Sequence, residues 1–184
     1  MTRADALPGL AMGADGHHDG VPANEVILRL YDCEHLSLLR YLVLLGIAEA
    51  VAQEIVQEVF LRLHRHLHAD GDRTSLRAWL YRVAHNLARN EQSAARSRNT
   101  AALDEAAVAA RASHDHSPES AFLYREREER VRSAVALLPP NQRECLLLRA
   151  QGMKYREIAL VLELSISAVA EHVQRGLKRL KELT

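Results

Sequence analysis

Apolar positions recur at intervals of three and four along most of the chain, the spacing of a helix with one buried face. Val26, Ile27, Leu30, Tyr31, Leu38, Leu39, Leu42 and Leu45 predict a first helix from Asn24, and Gly46 is its natural break. A second helix is expected from Glu49 to about His66, with Val51, Ile55, Val59 and Leu63 inward and Gln53, Glu54, Gln57 and Glu58 on a polar face. Ala69 to Ser75 reads as a loop, and Thr74 or Ser75 can cap the helix that follows. In that third helix Trp79, Leu80, Val83, Ala84 and Leu87 form the core stripe. Periodicity then fades from Asn99 to Glu119, an Ala-rich stretch with a Ser, His, Asp and Pro cluster, which reads as a linker carrying one helix around Leu103 to Arg111. It resumes at Ser120, and Pro139-Pro140 ends one helix and supplies a first-position proline for the next. Met1 to Ala23 mixes Gly, Pro, Asp and His without a period, as a disordered tail does.

The strongest local pattern is the last one. Ile158, Ala159 and Leu162 share a stripe, as do Val169, Val173, Leu177 and Leu180, and Glu163-Leu164-Ser165 lies between. Ser165 can cap the second helix. This predicts a helix-turn-helix, in which the apolar stripe docks the second helix and the opposite face is offered to a DNA major groove. That face would carry Ser167, Ala168, Glu171, His172, Arg175, Lys178 and Arg179. A helical hairpin can equally be plain scaffold; the cations crowding its last turns suit both a helix C-terminus and phosphate anchoring.

Composition sharpens this reading. The 184 residues suffice for one medium or two small domains, hydrophobic content is 48% and aromatics only 4%, so an all-α fold without sheet is expected. Lys plus Arg and Asp plus Glu are both 24, so any attraction to nucleic acid must come from local charge rather than from the whole molecule. The third helix is such a place: Arg77, Arg82, Asn86, Arg89, Asn90, Arg96 and Arg98 follow one another with Glu91 the only acid after Asp72. Cys33 and Cys145 form neither a zinc pattern nor a disulfide framework, which fits a reducing cytoplasmic interior. No signal peptide is evident, and the apolar run from Tyr41 to Ile47 is far too short to cross a bilayer.

Four motifs, in order, carry a resemblance to the extracytoplasmic-function (ECF) sigma factors of bacterial RNA polymerase. Ala52 to Leu63, AQEIVQEVFLRL, resembles the segment by which those factors grip the polymerase clamp helices, with Gln53 and Glu54 where the family usually has Glu and Asp. WLYRVAHNLARN from Trp79 resembles their promoter-melting helix, and the loop before it lacks the aromatic often found there. LPPNQRECLLLR, Leu138 to Arg149, resembles the segment that precedes the helix-turn-helix. Gly152, Glu157-Ile158-Ala159, Val169, Val173 and Arg175 match the promoter-reading motif itself. The Ser165 to Val173 pattern looks most like the iron-uptake branch of the family.

The resemblance implies a two-domain organisation: a tail at 1–23, a polymerase-binding and promoter-melting domain at 24–98, a linker at 99–119 and an upstream-element helix-turn-helix domain at 120–184. It implies polymerase contacts at Gln53, Glu54, Gln57, Glu58, Phe60 and Arg62, and downstream-element contacts at Arg77, Arg82, Asn86, Arg89, Asn90 and Arg96. Upstream contacts fall to Lys154, Tyr155, Ser167, Ala168, Glu171, His172, Arg175, Lys178 and Arg179. The implied partners are core RNA polymerase, promoter DNA and an anti-sigma factor; catalysis, a cofactor, a small-molecule substrate and membrane insertion are not expected.

Two rivals set the contrast. A stand-alone helix-turn-helix regulator should dimerise and bind duplex DNA without polymerase. A metal enzyme built on His64, His66 and His68 would need those three side chains to converge, and ligands at spacing two converge on a strand rather than a helix. The Gly-rich phosphate loop, carboxylate pair or activated nucleophile of an enzyme is missing from the motifs.

Overall fold

The computed structural model describes residues 21–69, 71–101 and 132–183. Its helices include α1 (Ala23–Leu44), α2 (Glu49–His68), α3 (Leu76–Ala101), α4 (Pro140–Ala150), α5 (Tyr155–Leu162) and α6 (Ile166–Leu183), and residues 132–136 ahead of α4 are helical as well. The described residues contain no strand, as the composition predicts. The expected tail, apart from its last three residues, the helix expected around Leu103 to Arg111 and the first part of the renewed pattern, from Ser120 to residue 131, lie outside the described residues, whereas 132–136 are helical and that helix ends ahead of Pro139 as expected. Helix α3 starts three residues before Trp79 and runs on to Ala101, past Asn99, where the linker was expected to begin.

Two glycines end helices because each sits at a backbone angle that a side chain resists. Gly46 has φ +94° and Gly152 φ +81°, and behind them Ile47 N–H donates to Leu42 O and Met153 N–H to Leu148 O, satisfying carbonyls that the helix leaves open. Pro140 opens α4, where the missing N–H costs nothing.

Helices α1, α2 and α3 pack against one another as one unit, and α4, α5 and α6 as a second. In the first, Leu38, Leu42, Val59, Leu63 and Leu80 are fully buried; in the second, Leu148, Met153, Ile158 and Val169 are. Each such side chain contributes about 1.5–3 kcal/mol of burial. The inward stripe of α2 is broader than the alternation of Val51, Ile55, Val59 and Leu63 suggests: Val51 is only half-buried, whereas Ala52, Val56, Phe60 and Leu67 join the core. The two units touch. Helix α3 lies along α5, and α1 reaches α4.

Candidate nucleic-acid and partner interfaces

On α2, Gln53, Glu54 and Gln57 are exposed. Glu58 is half-buried and accepts from Arg62 Nε at 2.7 Å and Arg65 NH2 at 3.2 Å. The bond from Arg62, with the charge of both arginines, holds the Glu58 carboxyl below its usual range. Phe60 departs from its expected place on this surface. It is 7% exposed, four residues after Val56 on the buried stripe, with Tyr31 edge-on at 5.0 Å between ring centroids. The apolar side chain actually presented among Gln57, Glu58 and Arg65 is Leu61, 59% exposed. Its spacing of four from Gln57 is the signal that could have found it.

The face that α3 presents to solvent carries Arg82, Asn86, Arg89, Asn90 and Arg96, all exposed. These positions follow the three and four spacing of one helical stripe, so three cations and two amides stand in a row. Arg77 does not belong to it. Five residues before Arg82, it points to the opposite side, where its Nε donates to Glu34 Oε1 at 2.7 Å and its NH2 to the Gln151 carbonyl at 2.5 Å. Its side chain is 13% exposed, and its guanidinium lies over the Tyr81 ring, 5.5 Å from the centroid.

The loop before α3 is turned by Asp72, whose two oxygens accept from Thr74 N–H at 2.8 Å and Thr74 Oγ at 2.6 Å. Both bonds hold the Asp72 carboxyl below its usual range. Ser75, at φ +52°, contributes its carbonyl to the Trp79 N–H. Trp79 is half-buried and stacks on His66 at 5.0 Å, while His66 Nε2 bonds the Asp72 carbonyl at 2.8 Å. His64 and His68 face each other at 4.2 Å on another side of α2, so the three histidines do not converge. Among the described residues no group of three His, Cys, Asp or Glu side chains is placed to hold a metal ion.

The helix-turn-helix is formed by α5 and α6. Glu157 Oε2 accepts from the Lys154 N–H at 2.6 Å at the start of α5, Glu163 ends that helix at φ +55°, and Ser165 Oγ accepts from the Ala168 N–H at 3.1 Å to cap α6. Ser165 therefore caps as its position predicts. The docking stripe of α6 is not the expected one. Val169, Val173 and Gly176 are buried, His172 and Leu180 are half-buried, and Leu177 is 48% exposed. The stripe turns toward Gly176 because the bare glycine lets α6 close on α4; a Cβ there would lie 2.6 Å from Leu146 Cδ1. His172 rotates inward with it, its Nδ1 shut off from solvent, so it leaves the exposed face assigned to it from the pattern.

On that face Ser167, Glu171, Arg175, Lys178 and Arg179 are exposed, and Ala168 is half-buried. Glu171 and Arg175 form an ion pair at 2.5 Å, one turn apart. Lys154 is exposed, while Tyr155 is half-buried beneath the Arg149 guanidinium, 5.7 Å from its ring centroid. A groove of about 400 Å³ runs between the turn and the α2–α3 loop, lined by Ser75, Leu160, Leu164 and Ile166 among others.

Buried titratable groups lie where the two units meet. Tyr41 OH is 2.9 Å from His85 Nδ1, and His85 Nε2 is 3.8 Å from Glu144 Oε2 on α4. Burial, followed by the charge of Arg89, pushes the His85 pKa down to about 4. A neutral His85 shares a hydrogen bond with the Tyr41 hydroxyl. Burial raises the Glu144 carboxyl and takes the Cys145 thiol to about 11, which leaves Cys145 protonated and inert.

Known proteins match both units. The family Sigma-70 region 2 matches residues 30–98, and Sigma-70, region 4 matches residues 128–180. The chain is 33% identical over 133 residues to the RNA polymerase sigma-H factor of Pseudomonas aeruginosa, covering 68% of each. It is 28% identical over 131 residues to the ECF RNA polymerase sigma-E factor of Escherichia coli, covering 67% of this chain and 68% of that one. In fold it is similar to the sigma factor RpoE, solved with the anti-sigma factor NepR from Bartonella quintana, with a TM-score of 0.67 over 87% of this chain and 96% of that one, at 22% identity.

Proposed function

The chain belongs to the ECF sigma factors of the sigma-70 family, transcription initiation factors that act with core RNA polymerase at promoters, and from that premise we propose how its helices divide the work. The exposed side of α2, with Gln53, Glu54, Gln57, Glu58, Leu61 and Arg62, takes the polymerase, and Phe60 supports that surface from beneath. The stripe of Arg82, Asn86, Arg89, Asn90 and Arg96 on α3 takes the downstream element and its melted strand. The early residues of α6 enter the major groove of the upstream element, and Arg175, Lys178 and Arg179 anchor its phosphates.

The observation that carries this reading is the α3 stripe. A chain whose formal net charge is zero presents three arginines and two asparagines in one exposed row. Cations neutralise phosphates, and amides can hydrogen-bond the Watson–Crick edges of unpaired bases. Residues 24–98 and 120–184 are the two working domains of this proposal, with 99–119 between them. The iron-uptake branch is supported by the Ser165 to Val173 pattern, although His172 in that pattern packs inward. An anti-sigma factor covering the polymerase-binding side would keep the protein inactive, as a cytoplasmic factor awaiting a signal; among the described residues no helix is long and apolar enough to cross a membrane. The test is capture of core polymerase by the purified chain, followed by run-off transcription from a promoter library. Binding of duplex DNA without capture of core polymerase would leave a stand-alone DNA-binding regulator as the better reading.

A further inference from the structure

Two of the three histidines near the end of α2 do meet, and a residue of α1 holds one of them. His64 and His68 are one turn apart, which puts their side chains on the same side of the helix; their ring centroids are 4.2 Å apart and both residues are exposed. His68 Nε2 lies 3.2 Å from Asn24 Oδ1, at the start of α1. A carboxamide oxygen can only accept, so Nε2 carries the hydrogen and His68 keeps its lone pair on Nδ1. A carbonyl that fixes the tautomer of the ring in this way is the usual companion of a metal-binding histidine. His66 takes no part, being stacked on Trp79 and bonded to the Asp72 carbonyl. Arg65 is committed to the Leu61 carbonyl and to Glu58.

We propose that His64 and His68 form a binding site for a divalent transition-metal ion such as Zn²⁺, Ni²⁺ or Cu²⁺, with Asn24 as the residue that orients His68. Imidazole nitrogen suits these ions, whereas Mg²⁺ and Ca²⁺ take oxygen ligands and should not compete. Two nitrogens from the protein leave the other coordination positions to water. The site is therefore open and exchangeable, and the fold does not depend on it as it would on a closed, four-ligand structural zinc. What the ion does is fasten. Only the helical form brings the two rings together, so binding stabilises the last turn of α2, and through Asn24 it ties that turn to the first turn of α1. This site stands apart from the polymerase and promoter roles above and needs neither of them.

The test titrates the untagged full chain with Zn²⁺ by calorimetry and with Cu²⁺ by electron paramagnetic resonance, whose nitrogen hyperfine pattern counts the imidazoles bound. Wild type should bind Zn²⁺ in the presence of excess Mg²⁺, show two nitrogens on Cu²⁺ and gain thermal stability when Zn²⁺ is added. His64→Gln and His68→Gln change exposed positions to a good helix former, so they should keep wild-type circular dichroism while losing the heat of Zn²⁺ binding and the thermal gain. Asn24→Ala should weaken Zn²⁺ binding by about tenfold, the scale expected when the hydrogen-bond partner of a metal ligand is removed. His17→Gln combined with His18→Gln should bind as wild type does, because these histidines near the N-terminus are not part of the site. Zn²⁺ affinity unchanged in His64→Gln or His68→Gln would overturn the site, as would its loss in the His17 and His18 variant. Unchanged affinity in Asn24→Ala would overturn the orienting role of Asn24.

Discussion

Gly176 of α6 lies so close to Leu146 of α4 that a Cβ built on the glycine would stand 2.6 Å from Leu146 Cδ1 and 3.1 Å from its Cγ. The recognition helix is seated by this contact. Gly176→Val should therefore destabilise the helix-turn-helix by about 1–3 kcal/mol through overpacking. Gly176→Ala should do less, since alanine regains about 1 kcal/mol of helix propensity while Leu146 shifts. Urea unfolding of the three proteins gives the ordering; equal stability for Gly176→Val would show that the contact is slack.

The same contact explains where the sequence misleads. A search for apolar side chains selects Leu177 for the docking stripe, because a glycine contributes nothing to a hydrophobic pattern; only the facing helix reveals that its absence of side chain is what is used. Helix ends were legible for the opposite reason, since Gly46, Pro140 and Ser165 act through local backbone geometry that any neighbourhood preserves. The inward turn of Arg77 was not legible. Its partners Glu34 and Gln151 lie 43 and 74 residues away in sequence, and a basic helix by itself does not say which cations have been claimed by the fold. The burial of Phe60 was not legible either, because a resemblance to an interface motif marks the segment but not which of its faces is buried.

Stability should fall in acid through His85. Its folded pKa of about 4 lies below the ordinary value of 6.5, so as pH drops from 6.5 toward 4 the unfolded chain takes up a proton that the folded chain refuses. The loss levels off below about pH 4 and amounts to no more than about 3 kcal/mol. Glu144, raised by burial, acts with the opposite sign above pH 4.5, favouring the folded state while it keeps its proton. Comparing wild type with His85→Gln isolates the histidine: the difference between their stabilities should change across pH 4 to 6.5 and be flat above 7. A constant difference would show that His85 titrates normally.

Reversing Glu58 to Lys together with Gln57→Ala should weaken capture of core polymerase while leaving helicity near wild type. The lost partners are surface pairs to Arg62 and Arg65, which solvent screens and which contribute little to folding. Leu61→Ser should weaken capture as well, because its exposed side chain sits among the same residues. Polymerase affinity unchanged in both would remove this side of α2 from the interface.

Arg82→Ala is the cleanest probe of the α3 stripe, since Arg89 also acts on Glu144 and His85. One lost phosphate contact should lower the slope of log affinity against log salt by roughly 0.7 to 0.9. Open-complex formation, followed by permanganate reactivity of the melted bases, should fall with it. An unchanged footprint and slope would place the melted strand elsewhere.

The recognition helix pits one interaction against another. Glu171 and Arg175 are paired at 2.5 Å with both side chains more than half exposed. In that order along a helix such a pair contributes about 0.3–0.5 kcal/mol. A carboxylate accepting from cytosine N4 in the major groove is worth about 1–3 kcal/mol of discrimination, so a correctly placed cytosine should win Glu171 away from Arg175 and release the arginine to a phosphate. Where the base is wrong, the pair stays closed and both contacts are lost together. Arg175→Ala should then weaken binding most where the base is right and little where it is wrong, whereas Glu171→Ala should relax preference at one base pair and raise non-specific affinity by freeing Arg175. Selection from a random upstream library with wild type and Glu171→Ala, in the presence of core polymerase, measures this directly. Identical selected sequences from the two proteins would make Glu171 a solvated partner of Arg175 and nothing more.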